Sequence, residues 1–565
     1  MDFKTFLENF DTIAQAPGGI AKLRSLILDL AVRGKLVPQN PEDEPATGIV
    51  KRVQEIRKAK KISEKKSGKL EIPDDWELPI GWVWSCLQEL GEINPKNDLP
   101  DELKVGFVPM ALVPTDYRQV VDYEERQWGE IKKGFTHFAN GDVGIAKITP
   151  CFQNRKSVVF SNLPNNYGAG TTELSIFRSL SESVDPKYVL LFLKTPSFIN
   201  EGVLRMTGTA GQQRIPREYF AGCAFPLPPL AEQKRIVEKV DELMALCDRL
   251  QASQEARDNL RQKLRASAID SLMNAETDEE LKKSWAIVRD NWQTLSQKPE
   301  DVDDLRRSVL QLAVRGKLVS QNSNAEPASV LLAEITKEQK QLIEERKVRK
   351  PENLPPIQLD DMPFLLPQEW IWVYVQDVGE VKLGRQRSPQ NHTGPYMVPY
   401  LRVANVLENK LNLSDVKSMN FSPEEQVTFR LKYGDILLNE GQSYELVGRP
   451  ALYRDEVPGA CFQNTLLRFR VYGGLVAEYA LIVFRAYLHN GRFRKEAQQT
   501  TNIAHLSANR LSKIEFPLPP RHEQKQIVAK VDELMQICDQ LEESLRQSQQ
   551  RVEALAASAI SHLTI

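Results

Sequence analysis

The sequence has no metal-type or disulfide-type cysteine pattern. Its six cysteines stand at 86, 151, 223, 247, 461 and 538, with no C-x-x-C among them, so neither a zinc site nor a disulfide framework is indicated. Cys247 and Cys538 occupy apolar helical positions and are expected in the core. The six histidines are as scattered, with no H-x-x-x-H or H-E-x-x-H pair. No apolar run approaches the ~18 residues that a bilayer span needs. Met1-Asp2-Phe3-Lys4 lacks the apolar core of a signal peptide, and the chain is expected to be cytoplasmic and reduced. An excess of one charge is missing too. Lys and Arg total 74 against 76 Asp and Glu, a net charge of −2. Bulk charge therefore gives no sign of a nucleic-acid partner, although a local basic groove fits inside a neutral total.

The motifs of common chemistries are absent as well. Every Gly-Lys (34–35, 68–69, 316–317) is followed by Leu, whereas a phosphate-cradling P-loop needs Ser or Thr there. The nearest approach to an amino-methyltransferase motif, Asp185-Pro186-Lys187-Tyr188, has Lys at its third position and no glycine-rich cofactor loop before it. There is no G-x-S-x-G elbow, and no Pro-Asp…(Asp/Glu)-x-Lys nuclease arrangement stands out. Four chemistries failing together favour a binding protein.

What the chain does have is a repeat. Leu30–Val37 recurs at Leu312–Val319, and Phe225-Pro226-Leu227-Pro228-Pro229 recurs from Phe516. Glu232-Gln233-Lys234 recurs as Glu523-Gln524-Lys525. Leu23 matches Leu305 at a shift of 282, Trp82 matches Trp370 at 288 and Phe225 matches Phe516 at 291. The halves are therefore colinear, from about Leu23 to Met273 and from about Leu305 to Ile565. Their ends repeat well and their middles do not. The echo of Cys151-Phe152-Gln153-Asn154 in Cys461-Phe462-Gln463-Asn464 lies at 310, out of register. Similar ends with dissimilar middles imply one scaffold carrying two specialised modules.

After each Phe-Pro-Leu-Pro-Pro, apolar residues recur at steps of four and three: Ile236, Val240, Leu243, Cys247 and Leu250, then Ile527, Val531, Leu534, Cys538, Leu541, Leu545, Val552 and Leu555, with Ser548 the one polar member. That spacing predicts long helices with a coiled-coil seam, the first over Ala231–Leu272 and about 60 Å long at ~1.5 Å per residue. Leu23, Leu26, Ile27 and Leu30 predict a shorter helix ended by Gly34 and Pro38. Lys51–Lys69 and Glu338–Lys350 read as charged helical arms or linkers. The middles carry short strands (Val105–Val113, Ser157–Phe160, Leu174–Phe177, Val398–Val403, Leu466–Val471) with helices at Tyr188–Leu193 and Tyr479–His489.

The candidate binding residues of the middles are polar, planar and loop-borne. In the first they are Lys147, Thr149, Gln153, Asn154 and Lys156 around a proline turn, and Thr209, Gln212, Gln213 and Arg214 in a glycine-rich loop. In the second they are Arg402 and Asn405 at a strand end, Gln442 and Ser443 in a turn, and Asn502, His505 and Arg510 at the place matching Gln212–Arg214. Each alone is an ordinary turn or capping residue. Arg can pair with guanine, and Asn or Gln with adenine, through two hydrogen bonds to one base edge; for the sets, DNA contact is favoured mainly by the chain's family resemblance. Residues 76–228 hold 15 basic and 17 acidic side chains, and 363–520 hold 18 and 15, so another subunit is expected to supply much of the phosphate contact.

Both Leu-Ala-Val-Arg-Gly-Lys-Leu segments, both Phe-Pro-Leu-Pro-Pro…Glu-Gln-Lys junctions and Gly208–Arg214 make the chain resemble the specificity subunit of type I restriction-modification systems. The resemblance spans all but the first ~20 residues and the 275–300 linker. The second copy departs from it, with Arg521-His522 before Glu523 and no Gly-Thr-Ala-Gly loop. The resemblance implies an α+β chain with two mixed α/β target-recognition domains held apart by long antiparallel coiled-coil helices in a pseudo-twofold repeat. The implied order is an N-terminal helical region (1–75), the first recognition domain (76–228), a long helix (229–275), a linker with a repeated helical region (276–362), the second recognition domain (363–520) and a last long helix (521–565). Each domain would read half of a bipartite duplex target. Ile236, Val240, Leu243, Leu250, Ile527, Val531, Leu534 and Leu541 would pair the helices, which set the spacer. Two methylation subunits would bring S-adenosylmethionine, and two motor-nuclease subunits ATP and Mg²⁺. This chain would hold no cofactor, metal or catalytic residue. The alternative is a non-DNA coiled-coil adaptor presenting two protein- or ligand-binding modules.

Overall fold

The computed structural model describes residues 3–60, 62, 70–74, 76–180, 184–209, 211–275, 277–321, 326–358, 362–499 and 503–564. They fall into two compact units, 1–259 with 548–565, and 260–547. Each unit thus takes in the last turns of the long helix that belongs, by sequence, to the other repeat.

The repeated octapeptide is a helix stop. At the end of the helix Gly19–Val32, Lys35 N–H donates to the Leu30 carbonyl at 3.0 Å and Gly34 N–H to Ala31 at 3.3 Å. Gly34 is left-handed at φ +67°, and a Cβ there would stand 2.4 Å from Pro79 Cγ and 3.0 Å from Trp82. Glycine is needed for both reasons. The helix Val302–Val314 ends identically: Lys317 donates to Leu312 at 3.0 Å, Gly316 has φ +69°, and its missing Cβ would meet Pro367 Cγ at 2.4 Å.

The second repeated motif is a clasp. Phe225–Leu227 pairs antiparallel with Val83–Ser85, and Glu515–Leu518 with Ile371–Tyr374. Proline is tolerated because each ladder has only two strands. The Trp82 indole donates to Glu232 at 3.0 Å, and Trp370 to Glu523 at 2.7 Å. Gln233 donates to Pro228 O at 2.9 Å and accepts from Asp185 N–H at 2.8 Å; Gln524 does the same with Pro519 at 3.0 Å and Val476 at 2.8 Å. Tyr188 and Tyr479 each donate to a motif carbonyl at 2.9 Å. The start and finish of each middle are so fixed side by side at the root of a long helix, Leu230–Met273 or Arg521–Thr564.

The middles differ in sequence and share a topology. In the first unit, one sheet runs Gly91–Ile93, Leu174–Ser179, Val143–Ala146, Ser157–Val159, and another runs Glu124–Gln127, Lys104–Val108, Tyr167–Gly170, Thr136–Ala139. In the second, the counterparts are Gly379–Leu383, Leu466–Val471, Ile436–Asn439, Pro450–Leu452, and Lys417–Asn420, Met397–Leu401, Cys461–Phe462. A parallel strand pairing falls at the same place in each, Gly106 with Gly168 and Tyr400 with Cys461. A half-buried ion pair also repeats: Arg178 grips Asp142 at 2.8 and 2.7 Å, and Arg470 grips Asp435 at 2.7 Å twice. The predicted helices Tyr188–Leu193 and Tyr479–His489 lie within Pro186–Lys194 and Ala477–His489. The out-of-register echo is coincidental, since Cys461–Phe462 is a strand and Cys151–Phe152 a turn.

Two readings change. The repeat reaches further toward the N-terminus than its motifs. The segment expected as a linker contains an 18-residue helix, Asp278–Leu295, which starts at a Thr277–Glu280 capping box. Its buried Val288, Trp292 and Leu295 follow Phe6, Phe10 and Ile13 of the helix Phe3–Gln15 at a shift of 282, the shift of Leu23 to Leu305. The seam is also used differently. Ile236, Val240 and Leu243 are buried, and Leu250 partly buried, in one core with Leu23, Ile27 and Leu30. Ile527, Val531 and Leu534 share a core with Val309, Leu310 and Ala313, and Leu541 packs with Val288 and Trp292. These positions meet the short helices of their own unit, while Leu541 also shares its cluster with Ala268, and Ile236 and Val240 share theirs with Ala559, each from the other long helix, and Leu555 is exposed. Cys247 and Cys538 are buried as expected, and burial pushes each thiol up to about 11.

Candidate nucleic-acid interface

The loops chosen from sequence are joined by backbone. In the first module, Lys147 N–H donates to Glu173 O at 2.9 Å, Ile215 N–H to Lys147 O at 2.9 Å and Thr149 N–H to Gln213 O at 2.9 Å. Thr207 and Arg214 exchange bonds of 3.0 and 2.8 Å, and Thr149 Oγ1 accepts from Gln213 N–H at 3.1 Å. Three segments, around Ile148, Thr207 and Arg214, therefore form one small edge. The second module builds the same edge from Gly441–Gln442, Gln498–Gln499 and Ala504–His505. Thr207 to Gln498 and Arg214 to His505 both shift by 291, like the Phe-Pro-Leu-Pro-Pro junction.

On the first edge, Gln153, Asn154, Thr209 and Gln212 are exposed, while Lys147, Thr149, Gln213 and Arg214 are half-buried. Thr209 O accepts from Gln212 N–H at 2.9 Å, which closes the loop tip. Arg214 is held by Glu173 through two bonds of 2.9 and 2.7 Å and donates its third arm to Gln212 O at 3.0 Å. That guanidinium holds the Glu173 carboxyl below its ordinary range. Lys156 is committed inward, its ammonium donating to Met110 O at 2.7 Å.

On the second edge, Gln442 and Ser443 are half-buried in the turn, where Gln442 Oε1 accepts from Ser443 N–H at 3.1 Å. His505 Nδ1 lies 3.3 Å from Glu440 Oε2. Arg510 caps the helix Arg492–Glu496, donating to Glu496 O at 2.7 Å. Asn502 lies outside the described residues. Asn405 is a correction. It is 2% exposed; its oxygen accepts from Arg402 N–H at 3.1 Å, and its amide donates to Asn412 and Asp415 carbonyls at 2.9 and 3.1 Å. All its valences are spent on a loop, so it has nothing left for a base. The Arg402 guanidinium pairs with Asp415.

The sequence reading passed over the tethering carboxylates, Glu173 and Glu440, because nothing local links them to Arg214 and His505, 41 and 65 residues away. It also passed over Arg387, exposed on the loop after Gly379–Leu383, whose Nε donates to His392 at 3.0 Å. Among the described residues no group of three or more His, Cys, Asp or Glu side chains is arranged to hold a metal ion, and no helix is long and apolar enough to cross a membrane.

The profile of the type I restriction modification DNA specificity domain matches residues 79–257 and 367–550. The EcoAI type I restriction enzyme specificity subunit of Escherichia coli is 37% identical over 570 residues, covering 96% of this chain and 94% of that one. The EcoEI specificity subunit of Escherichia coli is 36% identical over 552 residues, covering 94% and 92%. Among solved structures, the HsdS subunit from Thermoanaerobacter tengcongensis aligns with 87% of this chain and 98% of its own at 18% identity and a TM-score of 0.43.

Proposed function

The chain belongs to the family of type I restriction-modification specificity subunits, and from that premise we propose that its two modules each read one half of a bipartite DNA target. The coarser statement is settled by the family: this is a non-catalytic DNA-recognition subunit that works in a complex with other subunits. The finer reading is supported by one observation above the rest. The same hydrogen-bonded edge recurs in register in both modules and carries Gln212, Gln213 and Arg214 in one and Ala504 and His505 in the other. A shared frame with exchanged side chains is what two different half-sites ask for, because major-groove specificity lies in side-chain donors and acceptors.

In this reading Thr149, Gln153, Asn154, Gln212 and Gln213 present the first edge to DNA, and Gln442, Ser443 and His505 the second. Lys156, Arg402 and Arg510 shape their loops. The long helices run antiparallel and separate the modules by about one turn of duplex, ~34 Å. Ala268 shares a cluster with Leu541 and Leu545 in one unit, and Ala559 shares one with Ile236 and Val240 in the other, which supports that direction. Two methylation subunits dock on this scaffold and bring S-adenosylmethionine, while two motor-nuclease subunits use ATP and Mg²⁺. The adaptor reading has no observation in its favour.

The test is exchange of residues 86–224, the span between the two clasp strands and so including the whole first edge, for the same segment of a relative with a different target. Because the clasp fixes both ends of the module together, the exchange should leave the fold intact. Adenine-methylation mapping in cells that also carry the methylation subunit should show one half of the target changed and the other kept. A change in both halves, or in neither, overturns the modular reading.

A further inference from the structure

We propose that Glu173 and Glu440 are positioning residues that aim one hydrogen-bonding side chain in each module, Arg214 and His505, at a base edge of the DNA; this rests on the two edges facing DNA. The backbone makes the comparison residue by residue. Lys147 N–H donates to Glu173 O as Glu440 N–H donates to Thr465 O, and Ile215 N–H donates to Lys147 O as Leu506 N–H donates to Glu440 O. Lys147 therefore matches Glu440, Glu173 matches Thr465, and Arg214 matches His505.

Between modules the tethered side chain keeps its place and the carboxylate changes rung. In the first it comes from the start of the strand Leu174–Ser179, beside Arg214 at 2.7 Å. In the second that rung is Thr465, whose hydroxyl accepts from Val403 N–H at 3.2 Å, and the carboxylate comes from Glu440 on the entering segment. Exposure follows the same division of labour. The Arg214 and His505 side chains are 42% and 43% exposed, and their carboxylates 24% and 22%. A tether below and an open face above is the arrangement for pre-paying side-chain entropy before a ligand arrives. Because the carboxylate approaches from a different rung, the tether pulls the side chain from a different side in each module. A base-edge contact needs placement within roughly 0.5 Å, which a free arginine does not hold.

The experiment uses the full-length chain with its methylation partner and a duplex library randomised across the target. Arg214→Ala and Glu173→Gln should each lower discrimination at one base pair of one half-site, about 10-fold and about 5-fold, with the other half-site unchanged. Glu440→Gln should do the same in the other half-site. The exchange Glu173→Arg with Arg214→Glu restores the ion pair and should restore the melting temperature without restoring discrimination. Recovery of discrimination in the exchanged chain would reduce the pair to a fold element and overturn the proposal. Loss in Arg214→Ala with none in Glu173→Gln overturns positioning while the DNA-facing reading stands. Unchanged discrimination in Arg214→Ala, or weakening uniform across all sequences as for a phosphate contact, overturns both for this loop. Should Glu173→Gln fail to fold by melting, Glu440→Gln beside His505→Ala carries the same comparison.

Discussion

Lys194 shows what a single buried charge does in this fold. It ends the helix Pro186–Lys194, is 2% exposed, and donates to the carbonyls of Thr115 and Arg155 at 2.9 Å each. Burial pulls its pKa down to about 7. A base whose folded pKa lies below its unfolded value binds fewer protons when folded, so stability rises with pH across the interval between the two. Urea unfolding should therefore show the wild type gaining stability from pH 7 to about 10 relative to Lys194→Met, by up to a few kcal/mol. Met leaves the two carbonyls unpaired at every pH, a constant cost; parallel pH profiles for the two proteins would refute the depressed pKa. Residue-scale roles of this kind were the least legible in the sequence. Asn405 and Lys156 look like readers because polar loop residues read bases, yet both are consumed by backbone groups that no local pattern points to. Gln212 keeps its side chain exposed, and Gln212→Ala should cost about 1–3 kcal/mol at one half-site in a binding titration.

Elements were far easier to read, because their signals are local. A glycine two residues after an apolar helix end and a proline pair ahead of a four-three pattern each act within a turn or two of chain. The helix Asp278–Leu295 carries such a pattern in Trp285, Val288, Trp292 and Leu295, and escaped notice because its polar composition reads as linker. The seam was legible only as a stripe: period alone cannot say which neighbours it meets, and here they include the short helices of the same unit. The structure makes that choice testable. Val531→Asp places a charge in the core of Val309, Leu310 and Ala313 and should destabilise the unit 260–547 by about 3–5 kcal/mol. Leu555→Ser, on the same helix at an exposed position, should stay within about 0.5 kcal/mol. Equal effects at the two sites, measured by denaturant unfolding, would mean the helix is packed along its whole length.

At the scale of the whole molecule, repeat and compact unit are different divisions of the same chain. By sequence, residues 548–565 finish the second repeat; in space they belong with residues 1–259. Ala559 is buried, and Ile560 partly buried, in the core that holds Phe6, Phe10, Leu23 and Ile236. Offsets between copies show which residues correspond, but carry no information on where a long helix ends up, so this crossing was beyond the sequence. It has a consequence that a bead-like tandem repeat does not share. Truncation after Gln547 removes the end of the second repeat and should loosen the first unit. The lost burial is worth about 1–2 kcal/mol, and hydrogen exchange should quicken in Phe3–Gln15 and Gly19–Val32 while Val302–Val314 keeps its protection. Faster exchange confined to the second unit would show that the two divisions coincide after all. The expected outcome ties the stability of the first unit to the last helix of the second repeat.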